Sequence, residues 1–352
     1  MYVGRVLITA ENQDKAEDSV PEVDISILIT AHYRKQFILS AVKSVLSQNT
    51  EGFTYEIIVV KNYKDALIDT FLKDNKVVSI TTNAETLGAK LAEGLKKSNG
   101  NIISFLEDDD IFLPNKLKTV LELFKADSSL MYLHNAAEEY HISSGYTGKQ
   151  VMTMGDDITY YGPLSFKNIL EVFKNGGHGN NSCISLRINA AKELIPRLEK
   201  LNVTCDGFIF LWCSQYEKKI RFTDRSLTRY TVHESFTHRK AANINDYITS
   251  NLEKALIMFH DKEIGLEMIN SVKLKNGISL AAEYILLKEL LNLNLFSPNK
   301  LIGLQQIVSY FYLNVKGRRY TSLLGTIVHL ISLVSKKFAI TLVYHFQPYR
   351  PV

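Results

Sequence analysis

Short apolar runs alternate with segments of helical periodicity through the first third of the chain, and this alternation constrains the fold more than any other feature. Buried strands are predicted at residues 24–30, 55–60, 77–80 and 101–106, and helices at 36–48, 65–73, 86–97 and 114–125. Pro114 suits the first turn of the last of these helices. Strands and helices that alternate at this spacing predict an α/β fold with a mostly parallel, Rossmann-like sheet flanked by helices.

The 352 residues suggest more than one compact unit, and the character of the sequence changes near Asn251. Long amphipathic helical stretches follow that point. We therefore predict a polar leader at residues 1–23, without a signal-peptide pattern, an α/β domain at 24–250, and a helical region at 251–352.

Composition excludes some classes of protein. A formal net charge of +4 is too weak to indicate a nucleic-acid partner. The three cysteines, Cys183, Cys205 and Cys213, are odd in number and lack a CxxC motif, so neither a disulfide framework nor a structural zinc site is expected. A reducing cytoplasm is the simplest compartment.

Polar residues follow three of the predicted strands. They are residues 30–34, the pair Lys61-Asn62, and the acidic run 107–110. Ligands of open α/β sheets bind beyond the carboxyl ends of the strands. The sequence therefore predicts one site built from these three segments.

The acidic run 107–110 has two interpretations. Four successive carboxylates after a buried strand repel one another unless a cation or hydrogen bonds neutralise them. Hard divalent ions prefer such oxygen ligands and can bridge a diphosphate. The alternative is an acidic loop that stabilises the positive start of the next helix. The apolar strand before the run and Pro114 after it favour a metal site.

Three blocks of the first half carry a recognisable pattern. They are residues 26–34 with 41–48, residues 56–60, and residues 83–110. In order and spacing, these blocks and the segments after them resemble the family 2 glycosyltransferases, which have the GT-A fold, over residues 24–237. The block that ends in the acidic run is the most specific, since it is similar to the family's stretch ending in the DxD metal motif.

The resemblance implies a set of residues for the nucleotide-sugar donor. They are Thr30, Ala31, His32, Arg34, Asn62, Lys90, Glu107 and Asp108. It also implies Asp109 and His233 as ligands of Mn²⁺ or Mg²⁺. Two positions depart from the family. Glu107 stands at the first DxD position, and Lys61-Asn62 replaces an acidic pair that usually holds the base or ribose.

The resemblance also assigns an acceptor side. Residues 205–212 are similar to the family's Glu-Asp-x-x-Leu-Trp segment, with Cys205 in place of its glutamate. Asp206 then matches the general base of inverting members, although a helix N-cap is an alternative for an aspartate at that place. The loop residues His178, Gly179 and Asn180 fall where relatives contact sugar or acceptor.

The predicted activity is transfer of a sugar from a nucleotide-diphosphate sugar to an acceptor hydroxyl in glycan or polysaccharide synthesis, inverting and metal-dependent. The acceptor is left open among a glycan, a lipid-linked and a protein-linked molecule. One alternative is a nucleotidyltransferase, against which stands the missing glycine-rich phosphate loop after the first strand. The other is an inactive nucleotide-sugar-binding module.

The helical region at 251–352 lies outside the resemblance. Apolar residues recur at helical spacing from Leu323 to Phe338, Arg318-Arg319 precede them, and Lys336-Lys337 interrupt them. The uncharged run between these pairs is shorter than the roughly 20 residues that span a bilayer. Peripheral contact at the inner face of the membrane is one interpretation. Packing on the catalytic domain or formation of a homodimer is the other.

Overall fold

The computed structural model describes residues 23–233, 241–272, 276–317 and 323–346. Almost all of the predicted leader therefore lies outside the described residues, as do the end of the resemblance after His233 and the pair Arg318-Arg319.

The predicted alternation of strands and helices is present. The strands are β1 (Ile25–Ala31), β2 (Tyr55–Lys61), β3 (Val78–Thr81), β4 (Ile102–Glu107), β5 (Ile111–Phe112), β6 (Leu130–His141), β7 (Gly145–Val151), β8 (Ile158–Tyr161), β9 (Ile184–Arg187) and β10 (Lys219–Val232). The helices among them are α1 (Lys35–Leu46), α2 (Ala66–Asp74), α3 (Leu87–Lys97), α4 (Lys116–Ala126), α5 (Phe166–Asn175), α6 (Ile188–Leu198) and α7 (Cys205–Cys213). Five helices follow: α8 (Ile244–Asn270), α9 (Asn276–Phe296), α10 (Leu304–Lys316), α11 (Leu323–Val334) and α12 (Lys336–Phe346).

The strands form one mixed sheet in the described part of the chain, in the order β3-β2-β1-β4-β9-β6-β10-β5. Strands β1 to β4 pair in parallel, as do β6 and β10, whereas β9 is antiparallel to both of its neighbours. β7 and β8 pair outside this path, with β6 and β10. The sheet thus has the mostly parallel α/β architecture that the sequence predicts.

Side-chain alternation divides the core between the two faces of the sheet. Leu28 and Phe105 point to one face and pack with α3, α6 and α7, while Ile27 and Leu106 point to the other and pack with α1, α2 and α4. Successive side chains of a strand point to opposite faces of the sheet. A parallel strand that is buried on both faces therefore has a continuous run of apolar residues in its sequence. The runs in the sequence are therefore the inner strands of a three-layer structure.

The helices α8 to α10 share the core of the α/β part. Ile269, Tyr284 and Tyr310 belong to the same buried cluster as Leu170 and Trp212. Helix α8 runs without a break through position 250, where the sequence predicts the end of the α/β domain. The boundary stays a prediction, but contacts between side chains cross it. No helix among the described residues is both long and apolar enough to span a membrane.

Candidate active site

Parallel pairing brings the carboxyl ends of four strands to one edge of the sheet. Thr30 is in register with Glu107 on one side, and Ala31 with Lys61 on the other. Thr30 and Ala31 lie within β1 and are buried. The polar residues after each strand therefore lie close together, as the sequence predicts.

Arg34, Asp108, Asp109 and His233 form what we call the strand-end cluster. Arg34 precedes α1, and its guanidinium forms salt bridges with the carboxylates of Asp108 and Asp109. His233 Nε2 lies 2.8 Å from Asp109 Oδ2 and 3.2 Å from Arg34 Nη1. The backbone N–H of His32 donates to Asp108 Oδ2 at 3.3 Å. A strand end, a loop and the end of β10 thus converge on two carboxylates.

The four carboxylates differ in pKa because their surroundings differ. Burial raises the pKa of Asp108 to about 7, although Arg34 opposes the shift. Burial and the charge of Asp109 raise the pKa of Asp110 to about 7 and hold that of Glu107 well above its usual range. Burial acts the same way on Asp109, but the His233 hydrogen bond and Arg34 outweigh it and lower its pKa. Asp109 is therefore the most readily ionised of the group.

Three of these carboxylates are arranged as a potential cation site. Glu107, Asp109 and Asp110 each offer a carboxylate oxygen, and these oxygens lie within 4.8 Å of one another. Asn181 donates from Nδ2 to Glu107 Oε1 at 2.9 Å, and its buried Oδ1 has no hydrogen-bond partner among the described residues. An all-oxygen set of partly uncompensated negative charge fits Mg²⁺ or Mn²⁺.

The residues on the far side of β1 form a second polar group. The ammonium of Lys90 lies 2.8 Å from His32 Nδ1, and Asn62 Nδ2 lies 3.1 Å from the same atom. His32 Nδ1 therefore accepts hydrogen bonds, and burial together with the charge of Lys90 lowers its pKa. Glu85 accepts from the Tyr33 hydroxyl at 3.0 Å and from Asn62 Nδ2 at 3.4 Å.

Lys61 does not take part in this group. Its side chain is fully buried, donates to Tyr63 O at 2.8 Å, and forms an ion pair with Asp69 of α2 at 2.7 Å. The residue that departs from the family pattern is therefore an internal structural lysine. The carboxylate of this region comes instead from Glu85, in the segment between β3 and α3.

Asn180 connects the acidic strand end to the next part of the site. Its side-chain amide donates to Asp110 Oδ2 at 2.7 Å, and its backbone N–H donates to Asp206 Oδ2 at 2.9 Å. The residue is buried and adopts φ 65°, a left-handed value that asparagine tolerates better than most residues. Its backbone N–H and its side-chain NH₂ thus both donate to carboxylates that the sequence singled out.

Asn180, Asp206, Asp261 and Lys262 form what we call the helix-start cluster. Asp206 is the second residue of α7 and is half-buried. The N-cap residue is Thr204, so the alternative of an N-cap role for Asp206 is wrong. Asp261 of α8, which is 1% exposed, instead accepts the backbone N–H groups of Asn202, Val203 and Thr204 at 2.9, 2.8 and 3.0 Å. A residue of the helical region thus holds the segment that leads into α7.

Lys262 lies beside this helix start. A Cβ placed on Gly207 would lie 3.6 Å from its ammonium nitrogen. Burial lowers the pKa of Lys262, while the charges of Asp206, Glu289 and Asp261 oppose that shift. The Lys262 ammonium therefore lies beside Gly207, the residue after Asp206. Cys205, where the family has a glutamate, is buried, and burial holds the pKa of its thiol well above the usual range.

The loop before Asn180 is held by a hydrogen bond from His134 and lies beside Asp206. His134 of β6 donates from Nε2 to Gly179 O at 2.8 Å, and burial lowers the pKa of His134 to about 4. A Cβ on Gly179 would lie 3.9 Å from Asp206 Oδ2. His178 stacks on Phe173 with ring centroids 3.9 Å apart. The predicted acceptor loop therefore borders Asp206.

Sequence reasoning missed three residues of this site, Glu85, Asp261 and Lys262, and it included Asp110 in the acidic run without giving it a role of its own. Asp110 belongs to the acidic run and Glu85 follows a predicted strand, so both had a local signal. Asp261 and Lys262 lie within a long amphipathic helix, where charged residues ordinarily face solvent.

Comparisons with known sequences agree with this geometry. Residues 26–195 match the model of glycosyl transferase family 2. The chain is 21% identical over 325 residues to an uncharacterized glycosyltransferase of Haemophilus influenzae, covering 90% of this chain and 98% of that protein. It is 26% identical over 152 residues to the Escherichia coli UDP-Glc:alpha-D-GlcNAc-diphosphoundecaprenol beta-1,3-glucosyltransferase WfaP, covering 41% of this chain and 57% of that protein.

A solved structure supports the same fold. Staphylococcus aureus TarS 1-349 in complex with UDP-GlcNAc superposes with a TM-score of 0.51 over 93% of each chain, at 13% identity. Together with the family match and the strand-end acidic motif, this similarity confirms the resemblance at the level of that segment: residues 26–195 are those of a glycosyl transferase of family 2, and the chain has the GT-A fold.

Proposed function

We propose that this glycosyltransferase moves a sugar from a uridine diphosphate sugar to an acceptor hydroxyl, with inversion at the anomeric carbon and with a divalent cation. The observation that carries the proposal is the double role of Asn180. It ties Asp110 of the acidic strand end to Asp206 through bonds of 2.7 and 2.9 Å. A candidate cation-binding edge and a candidate base are thus joined through one residue.

The donor would lie along the carboxyl edge of the sheet. Arg34 and Lys90 supply cationic groups for the diphosphate, and Asn62 and His32 supply polar groups for base or ribose. Thr30 and Ala31, which are buried in β1, would lie beneath the donor, and Glu107 and Asp108 would contact its sugar and ribose. The Lys90 ammonium has two local acceptors, His32 Nδ1 at 2.8 Å and Glu85 O at 3.3 Å, and neither is a carboxylate that would neutralise its charge.

Asp109, with Glu107 and Asp110 beside it, would hold Mn²⁺ or Mg²⁺, and His233 stands ready as a further ligand. Such an ion neutralises charge that develops on a diphosphate leaving group. Arg34 bonds Asp109 in the structure, so a metal ion on Asp109 would replace or share that contact.

Asp206 would act as the base. It accepts the proton of the acceptor hydroxyl as that oxygen attacks the anomeric carbon, and the bond from this carbon to the diphosphate breaks with its electron pair leaving on the phosphate oxygen. Attack opposite to the leaving group inverts the configuration. His178 and Gly179 border the approach of the acceptor to Asp206.

A UDP-sugar and a lipid-linked acceptor are favoured by the name of the E. coli relative, which acts on a diphosphoundecaprenol-linked sugar. The complex of S. aureus TarS contains UDP-GlcNAc, which also favours a UDP-sugar as donor. A cytoplasmic location, peripheral at the membrane, is part of the proposal. A homodimer through the C-terminal helices is the competing role for that region.

Product analysis tests the proposal directly. Purified protein is incubated with UDP-sugars, Mn²⁺ and a lipid-linked acceptor, and the released nucleotide is identified. Release of UDP with a glycosylated acceptor is expected. Release of pyrophosphate would indicate the nucleotidyltransferase, and calorimetric binding of UDP-sugar without any turnover would indicate the inactive module.

Two variants test the residues. We expect Asp109→Ala and Asp206→Asn each to reduce transfer by about 1,000-fold while the far-ultraviolet circular dichroism stays unchanged. Asp74→Asn, an exposed carboxylate at the end of α2, is the matched control. Full turnover by either variant would refute its assigned role.

A further inference from the structure

The charge of the chain is distributed very unevenly. The last aspartate or glutamate is Glu289, and the 63 residues after it contain seven lysines and arginines. The whole chain has 41 basic and 37 acidic residues, so the first 289 hold 34 basic residues and all 37 acidic ones. The C-terminal segment is therefore uniformly cationic on a molecule whose remainder is weakly anionic.

Helix α10 carries apolar residues on its outer face. Ile307, Tyr310 and Leu313 pack into the shared core on the inner side. The outer side, with spacing of three and four residues, exposes large apolar side chains by 41% to 60%: Leu304, Val308, Phe311, Tyr312 and Val315. A surface helix normally has a polar outer face, and contiguous exposed apolar surface marks a contact site.

The neighbouring helices continue this pattern. Ile327, Leu330 and Val334 of α11 recur at helical spacing and are exposed by 50%, 41% and 91%, and Phe338 of α12 is exposed by 56%. Helix α11 contacts both α10 and α12. The exposed lysines of these helices, Lys316 and Lys337, lie at or next to the apolar positions, and the Lys316 ammonium lies 5.9 Å from the Tyr312 ring centre.

We propose that the outer faces of α10, α11 and the start of α12 dock on the surface of an anionic lipid bilayer. Tyrosine, phenylalanine and aliphatic side chains enter the boundary between headgroups and acyl chains, and lysines contact the anionic headgroups. The occupant is argued from charge, since the sequence after Glu289 has seven basic and no acidic residues, so a second copy of this segment would be repelled and anionic headgroups would be attracted. The proposal does not depend on the identity of donor or acceptor.

Vesicle sedimentation tests the docking with the full chain. Wild-type protein is expected to sediment with vesicles of phosphatidylcholine and phosphatidylglycerol, but not with phosphatidylcholine alone, and to be released by salt. Val308→Ser/Phe311→Ser should lose vesicle binding. Lys316→Glu/Lys337→Glu should reduce it by about tenfold or more.

Matched controls replace exposed residues elsewhere. Leu67→Ser/Val78→Ser removes two exposed apolar side chains, and Lys97→Glu/Lys118→Glu makes the same charge change on α3 and α4. Both should bind vesicles like wild type. Binding that is equal in the face variants and the controls would overturn the proposal. The proposal would also be overturned if the wild-type protein were a dimer without vesicle binding and Val308→Ser/Phe311→Ser converted it to a monomer. The exposed face would then join two copies of the chain. Neither result depends on sugar transfer.

Discussion

The strand-end cluster and the helix-start cluster are linked through Asp110, which follows Asp109 and accepts from Asn180, but they are built in different ways. In the strand-end cluster, Asp108 and Asp109 follow a buried strand and are neutralised mainly by Arg34, whose charge comes from the end of another strand. In the helix-start cluster, Asp206 stands on a helix whose approach is held by Asp261, from far along the chain. The first depends on charge balance and the second on the packing of α8. Substitutions should therefore affect the two clusters in different measurable ways.

The largest expected difference is in nucleotide binding. With Mn²⁺ present, Asp109→Ala should weaken UDP binding by about 100-fold or more, because a metal ion on the phosphates contributes several kcal/mol. Asp206→Asn should leave UDP affinity unchanged, since the proposed base would contact the acceptor and not the nucleotide. Isothermal calorimetry with and without Mn²⁺ measures both. If Asp206→Asn weakened UDP binding as much as Asp109→Ala does, the two clusters would not have separate roles in donor binding and acceptor activation.

Acid should weaken the helix-start cluster through His134, which supports Gly179. The pKa of His134 in the folded protein is about 4, below its ordinary value of 6.5. The unfolded chain therefore takes up the proton first as the pH falls, and stability is lost between pH 6.5 and 4. The loss from this residue should reach about 2 kcal/mol near pH 5.

His134→Gln isolates this contribution. Glutamine can still donate to the Gly179 carbonyl but does not titrate in this range. Denaturant unfolding from pH 7.5 down to about 4.5 should show a steeper loss of stability for wild type than for the variant. Parallel curves for the two proteins would show that His134 is not the group responsible.

The strand-end residues could be located from the sequence because the signals are local. Each follows an apolar run, and parallel strands bring such ends to one edge. The same reasoning misjudged the meaning of Lys61, which also ends a strand. Its side chain is buried and pairs with Asp69 of α2. Whether a residue at a strand end faces the site or the protein interior depends on the direction of its side chain, which the sequence pattern does not give.

The helix-start cluster could be predicted only in part. Asp206 and Asn180 lie in segments with a recognisable pattern, but Asp261 lies 57 to 59 residues from the backbone groups that it accepts. A buried carboxylate on an amphipathic helix has the same sequence signal as an exposed one. The sequence changes to long amphipathic helical stretches near Asn251, and this change favoured a domain boundary at a position that lies within α8. Only the packing of α8 on α7 reveals the contact.

Asp261→Asn tests the dependence of Asp206 on α8. Asparagine has the same size, but its amide nitrogen cannot accept the N–H groups of Val203 and Thr204. We expect kcat for transfer to fall by about tenfold through misplacement of Asp206, with UDP affinity unchanged. Asn294→Ala is the matched control, since Asn294 is buried in α9 and accepts only the N–H of Leu301 among the described residues.

The control should lower the melting temperature without a change in kcat. The assignment of Asp261 as a positioning residue fails if both variants lose kcat to the same extent, because loss of stability would then explain the result. It also fails if Asp261→Asn keeps the wild-type kcat.

The smallest expected effect concerns Glu85, the carboxylate beside the predicted base or ribose contacts. It accepts from Tyr33 and Asn62 and raises the pKa of the Tyr33 hydroxyl through their hydrogen bond. Glu85→Gln keeps the shape of the side chain and removes its charge, so UDP affinity should fall by about threefold with kcat unchanged, because a hydrogen bond to an exposed carboxylate contributes little net energy. Calorimetry with UDP, and with Asp74→Asn as the control, measures this change.

A loss of UDP affinity as large as that of Asp109→Ala would mean that Glu85 takes over the full role of the acidic pair that Lys61-Asn62 replaces. An unchanged UDP affinity would mean that the uracil base is held by His32, Asn62 and the backbone of β1 alone.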